Sequence, residues 1–190
     1  MKKTVRHLFS VIVITGFLFM AYGSGEDAAK AETVQEEIPS VGQETELENK
    51  PNWVYNEDQD KMEGTKQFFA TCTSINTADF EFPYDGGSTL DIHIRNLGHG
   101  NEALITVSKG QFMTSIGDSE SLKAKFDDEK PMSFTYSSSA DGSSDVIFIN
   151  NAAKFISKLK KAKKVMLEVG FFDAGRKVLE FETEGLKWNK

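Results

Sequence analysis

Segment 90–95 alternates strictly between apolar and polar side chains, and this period of two residues constrains the fold more than any other feature of the chain. Such an alternation places the apolar residues on one face of a strand and the polar residues on the other. Turns rich in Asp and Gly separate further segments of the same kind. The pattern predicts a mainly β fold, an antiparallel β-sandwich or barrel. Strands are expected at 53–55, 67–74, 89–95, 103–108, 111–114, 122–126, 132–136, 145–149, 164–172 and 176–183.

One segment has the helical period instead. Its apolar residues recur at spacings of three and four, the pattern of one helix face, and Asn150 or Asn151 precedes them as an N-cap. We therefore expect one amphipathic helix near 151–163. Its apolar face consists of Ala152, Phe155, Ile156 and Leu159.

The N-terminus has the layout of a secretory signal segment. A basic start is followed by an apolar run from Leu8 to Ala21 and then by small residues, with cleavage expected before Ser24. The run is shorter than the roughly 20 apolar residues that a membrane helix needs. An uncleaved segment is the alternative, and it would keep the domain associated with a membrane.

Tyr22 bears on how the protein is anchored. The signal resembles that of a bacterial lipoprotein, with Tyr22 where the lipid-bearing Cys belongs. Because a phenol cannot form the thioether that holds the lipid, this residue argues against acylation.

The chain divides into a signal segment at 1–23, a tether at 24–51 and a single β-rich domain at 52–190. The tether holds eight acidic residues against two basic ones and few large apolar residues, a composition typical of disorder. This organisation predicts an exported protein, periplasmic or associated with the cell envelope.

The composition of the domain excludes several function classes. Residues 52–190 hold 21 acidic and 17 basic residues. Because a protein that binds nucleic acid presents a clustered basic surface, this composition argues against nucleic-acid binding. Cys72, the only cysteine, alternates with apolar residues, which predicts a buried thiol rather than a nucleophile or an intermolecular bridge. The glycines of 85–88 lead into a strand and not into a helix, so they indicate a turn rather than a phosphate loop. No cofactor is expected.

Asp91, His93 and His99 are the candidate metal ligands, because imidazole and carboxylate suit several divalent metals. The five residues between the two histidines cross from a strand into a loop, and spacing fixes no further ligand, whereas zinc sites show tighter patterns. The sequence therefore favours surface histidines over a metal site.

Lysines cluster on the predicted helix and just beyond it. Lys158, Lys160 and Lys161 are the candidate binding residues, for an anionic surface such as lipid headgroups or an acidic polymer, or for the chain's own tether. A solvated helix face, whose lysines suit the helix dipole, is the alternative. Neutralising these three lysines is predicted to weaken binding.

The C-terminal part ends as helix, strand, turn and strand. This ending resembles that of small exported β-sandwich envelope proteins of the invasion-associated locus B type, and of envelope proteins associated with type VI secretion. The resemblance implies a non-enzymatic envelope protein, although the chain lacks the paired cysteines of the first group and no functional residue is carried over. The residues that carry it are 155–160, 165–169, Gly175, Phe181 and 185–188.

Together these features predict an exported, non-enzymatic binding or assembly module of the cell envelope, with an envelope protein or an anionic surface as its partner. The alternative is an exported hydrolase that acts on an envelope polymer, with Asp91, His93 or His99 taking part.

Overall fold

Nine strands pair into one antiparallel sheet in the computed structural model, which describes residues 52–114 and 120–190. The predicted mainly β fold with one helix is confirmed. The predicted signal segment and tether lie outside the described residues. The elements are β1 Val54–Gln59, β2 Lys66–Thr73, β3 Leu90–Asn96, β4 Asn101–Val107, β5 Glu120–Phe126, β6 Met132–Ser138, β7 Val146–Ile149, α1 Ala152–Leu159, β8 Lys164–Phe171 and β9 Gly175–Glu182.

The sheet has the order β1-β2-β3-β4-β7-β6-β5-β8-β9, and it closes on itself where β9 meets the segment after β2. The amide of Ile75 donates to the carbonyl of Glu180 at 2.8 Å. The side chain of Asn76 continues this contact as a strand would, because its Oδ1 accepts from the amide of Glu180 at 2.7 Å and its Nδ2 donates to the carbonyl of Val178 at 3.1 Å. The edge of β9 is thus covered by the chain itself.

The core follows the alternation seen in the sequence. Leu90, Ile92 and Ile94 are fully buried, whereas Asp91 and His93 of the same strand are half-buried on the outer face. The thiol of Cys72 is buried, as predicted, and lies 3.3 Å from the carbonyl oxygen of Glu182.

Helix α1 is shorter than predicted and ends at Leu159. Its N-cap is Asn151, whose Oδ1 accepts from the amide of Lys154 at 3.1 Å. The helix does not continue to Lys163, because Oδ1 of Asp127 accepts from the amides of Lys163 and Lys164, at 2.9 and 2.8 Å, where β8 begins.

Two further predictions were wrong in detail. The strand expected at 53–55 continues to Gln59 as β1, which is exposed along its whole length and therefore shows no alternation that could mark its end. The strand expected at 111–114 is reduced to a single bridge between Phe112 and Phe171.

The closed sheet has two ends, which differ in how they are covered. At the helix end, Phe155 of α1 packs between Phe126 and Phe134. Its ring centroid lies 5.9 Å from that of Phe126 and 5.2 Å from that of Phe134. The C-terminal tail lies at the same end, where the indole of Trp188 donates to Oδ1 of Asn101 at 3.1 Å. The loop end carries the connections at 74–89, 108–114 and 172–174. The single helix of the described residues, eight residues long, is too short to cross a membrane.

Candidate functional site

The loop end carries a groove of about 270 Å³ with aromatic walls, here called the loop-end groove. Its exposed aromatic members are Phe82, with 88% of its surface accessible, and Phe172, with 68%. Two aromatic side chains this open in one groove are unusual, because large apolar groups are generally buried. The lining residues are Phe80, Glu81, Phe82, Pro83, Tyr84, Gly110, Gln111, Phe172, Asp173 and Ala174.

One wall of the groove is a loop, residues 79–87, that is closed at its base. Ala78 and Ser88 exchange two backbone hydrogen bonds, each 2.8 Å long. Within the loop, the amide of Tyr84 donates to the carbonyl of Glu81 at 3.0 Å across the cis peptide bond between Phe82 and Pro83. These contacts hold Phe82 in a turn that faces solvent.

A layer of packed aromatic rings supports this wall from below. Phe171 lies edge-on to Phe80 at 4.9 Å and stacks on Phe112 at 5.1 Å, measured between ring centroids. Gly110 permits the packing, because a Cβ there would lie 3.1 Å from Cε2 of Phe80, and its φ of +103° disfavours any other residue. The groove is therefore built on a rigid floor rather than on a free loop.

The turn between β8 and β9 lines the groove as well. Phe172 follows directly on the strand, and its amide donates to the carbonyl of Gln111 at 2.9 Å. Asp173 takes a left-handed conformation, with φ of 57°. This turn brings Asp173 to the groove, and Glu81 lines the other wall.

The three lysines predicted to bind an anionic surface lie at the helix end of the sheet, and two of them contact other side chains. Nζ of Lys158 lies 2.5 Å from Oε2 of Glu129, and Nζ of Lys160 lies 3.3 Å from Oδ1 of Asn189. Lys161 is exposed and has no ion pair with any described residue. Of these three lysines, Lys158 alone forms an ion pair with another described residue, and the role of the predicted binding surface stays a prediction.

A larger groove, of about 420 Å³, lies on the outer face of β8 and β9. Its walls carry three lysines and three carboxylates, so their formal charges cancel. Lys163 and Lys164 also pair with Glu184 and Glu182, at 3.4 and 3.9 Å. This groove has no net charge to select a ligand, in contrast to the loop-end groove.

His93 lies on the outer face of β3 between two threonines. Oγ1 of Thr71 is 3.0 Å from Nδ1, and Oγ1 of Thr106 is 2.9 Å from Nε2. Burial lowers the pKa of His93 most, while Asp91 acts to raise it and Arg95 to lower it. Because both ring nitrogens are engaged, a metal ion or a transferred proton would first have to displace a hydroxyl.

Asp91 and His93 share the outer face of β3, but His99 does not join them. His99 is exposed in the loop after β3. Within 52–114 and 120–190, no three His, Cys, Asp or Glu residues lie close enough together to hold a metal ion. Oδ1 of Asp91 is buried and has no hydrogen-bond partner among the described residues.

Cys72 is held in its neutral form. Burial is the main cause that raises the pKa of this thiol to about 12, and the charges of Asp91 and Glu182 act in the same direction. A thiol of this kind is a poor nucleophile at neutral pH.

The loop-end groove was not found from the sequence. Segment 79–85 reads as one more alternating stretch, with Phe80, Phe82 and Tyr84 spaced like a strand face. The available signal was the combination of that aromatic density with Pro83 and the two glycines that close the loop, which marks a turn rather than a strand.

No family model, no curated protein and no solved structure matches this chain. The resemblance of the C-terminal part to envelope proteins of the invasion-associated locus B type therefore stays a prediction.

Proposed function

We propose that this protein is an exported binding module of the cell envelope, and that it engages its partner through the loop-end groove. The observation that carries the proposal is the exposure of Phe82 and Phe172, at 88% and 68%, in the lining of one groove, one from the loop 79–87 and the other from the turn between β8 and β9. Aromatic anchors of this kind dominate the energy of protein interfaces when a partner buries them.

The surroundings of the two rings support a binding role. The backbone that carries both rings is held by hydrogen bonds, and Phe80, Phe112 and Phe171 pack against one another beside it. A preorganised site loses little conformational entropy on binding, which favours affinity. Placing binding residues in loops on a rigid sheet is also the general arrangement in binding proteins.

Export and an envelope location are part of the same proposal. They rest on the basic, apolar and small-residue layout of 1–23 and on the acidic composition of 24–51. The test of this part is cell fractionation followed by the intact mass of the protein, which is expected to begin at Ser24.

Photo-crosslinking from the groove tests the binding role directly. A photoreactive phenylalanine analogue is placed at position 82 or 172 of the full chain, in the cell that exports it. Both positions are expected to give the same adduct, because they line the same groove. Met62 is the matched control, since it is an apolar side chain with 95% of its surface exposed at the opposite end of the sheet.

A second arm separates the groove from the lysines. The analogue at position 161 is expected to give no adduct, and Phe172→Ala is expected to abolish the adduct formed from position 82. Adducts from position 161 with none from 82 or 172 would contradict the proposal. They would indicate that the binding site lies at Lys158, Lys160 and Lys161 instead.

A further inference from the structure

We propose, on the basis of the binding function above, that the loop-end groove receives an arginine side chain of a partner protein. The inference concerns the chemistry of the ligand and rests on three properties of the groove: its aromatic faces, its charge and its size.

The aromatic faces suit a cation. Phe82, Phe172 and Tyr84 all line the groove, and the face of an aromatic ring carries negative electrostatic potential that attracts an ammonium or a guanidinium group. The protein uses the same interaction elsewhere, because the guanidinium of Arg95 lies 5.3 Å from the ring centroid of Phe148.

The charge of the groove points the same way. Among its lining residues, Glu81 and Asp173 carry carboxylates, and no lysine, arginine or histidine of the described residues lines it. Neither carboxylate forms an ion pair with another described residue. Lys109, next to the lining residue Gly110 in the chain, donates to the backbone carbonyl of Asp85 at 2.7 Å. A partner cation would thus find two unneutralised carboxylates beside aromatic faces.

The size of the groove suits a single side chain. Sites for drug-sized ligands run from roughly 300 to 1,000 Å³, and this groove of about 270 Å³ lies at the lower edge of that range. Arginine fits better than lysine, because its planar guanidinium stacks on aromatic rings and binds carboxylates through two parallel hydrogen bonds.

Titration by NMR tests the inference with defined probes. The full chain is titrated with a capped pentapeptide, Gly-Ser-Arg-Ser-Gly, and with the same peptide carrying citrulline, the uncharged isostere of arginine. We expect the arginine peptide to shift the amide resonances of 80–84 and 172–174, and to bind about tenfold more tightly than the citrulline peptide. Tetramethylammonium is the third probe, and weaker binding than that of the arginine peptide is expected.

Variants at the rim complete the test. Glu81→Gln with Asp173→Asn is expected to weaken binding of the arginine peptide several-fold, and Glu63→Gln, an exposed carboxylate at the opposite end of the sheet, to leave it unchanged. Equal binding of the two peptides, tighter binding of tetramethylammonium, or no shift at the groove would each overturn the inference.

The outcome is separable from that of the proposed function. If positions 82 and 172 still give the same adduct in the Glu81→Gln, Asp173→Asn variant at unchanged yield, the binding function stands and the arginine inference is overturned. If neither position gives an adduct in the chain that keeps Glu81 and Asp173, the binding function itself fails.

Discussion

The two ends of the closed sheet use the same kinds of side chain in opposite ways. At the helix end, Phe155 of α1 and Trp188 of the C-terminal tail are buried, and Lys158 is paired with Glu129. At the loop end, Phe82 and Phe172 are exposed, and the carboxylates beside them have no cationic partner among the described residues.

The difference separates structural residues from residues available to a partner. Phe155 and Trp188 close the fold at the helix end and are buried, whereas the two most exposed aromatic rings of the described residues lie together at the loop end, so their exposure calls for a second cause. Binding supplies that cause, because the same groups would be buried and paired in a complex. The comparison holds only if the loop-end side chains contribute little to stability, which the following predictions test in order of decreasing effect.

The largest effect is expected from the same substitution made at both ends. Phe155→Ala removes a fully buried ring that contacts Phe126 and Phe134, so it should lower the free energy of unfolding by about 3–5 kcal/mol. Phe172→Ala removes an exposed ring and should change it by at most about 0.5 kcal/mol. Urea denaturation of the two variants measures both values. A loss of similar size at Phe172 would show that the groove is part of the core.

The rigid floor of the groove gives the next effect. Gly110→Ala forces a side chain into a left-handed conformation and brings its Cβ to 3.1 Å from Phe80, so we expect a loss of about 2–3 kcal/mol. Gly142→Ala is the matched control, because its φ is +83° but its Cβ would meet open space. It should cost only the backbone strain, about 1 kcal/mol.

Crosslinking decides whether the floor positions Phe82. Gly110→Ala should reduce the adduct formed from position 82, whereas Gly142→Ala should leave it unchanged. Equal adduct yields in the two variants would mean that Phe80 and its packing do not set the groove.

The sequence predicted the central strands of the sheet well, and its edge strand and the loops at its ends poorly. Residues 90–95 alternate because neighbouring strands cover both edges and one face meets the core, so their period was visible. Strand β1 lies at the edge with every residue exposed, and no period marks it beyond Tyr55. The groove depends on contacts between residues distant in the chain, such as Phe80 with Phe171, and these follow from strand order, which local periodicity does not encode.

The pH dependence of stability tests whether the polar residues between the two ends are structural. Because burial lowers the pKa of His93 in the folded state, the unfolded chain binds a proton there more readily. The folded state should therefore lose stability as the pH falls from 7 through the ordinary histidine pKa of about 6.5 to 5.5. His93→Gln should flatten this loss, and His99→Gln, at an exposed loop position, should not.

The same variants extend the test to the comparison of the two ends. Stability is followed by urea denaturation at each pH, and crosslinking from position 82 is measured beside it. Loss of the adduct in His93→Gln without loss of stability would place the partner on the outer face of β3 and break the comparison.

The smallest effect is expected from the ion pair at the helix end. Lys158 and Glu129 are both partly exposed, with side-chain accessibilities of 30% and 51%, so water screens their attraction. A double-mutant cycle with Lys158→Met and Glu129→Gln should give a coupling of about 0.2–1 kcal/mol that decreases as salt is added. Lys160→Gln, which removes only a contact with Asn189, is the control and should be close to neutral. A coupling that is absent at low salt would mean that the lysines at this end are as free for a partner as the carboxylates at the loop end, and the contrast between the two ends would then rest on the aromatic residues alone.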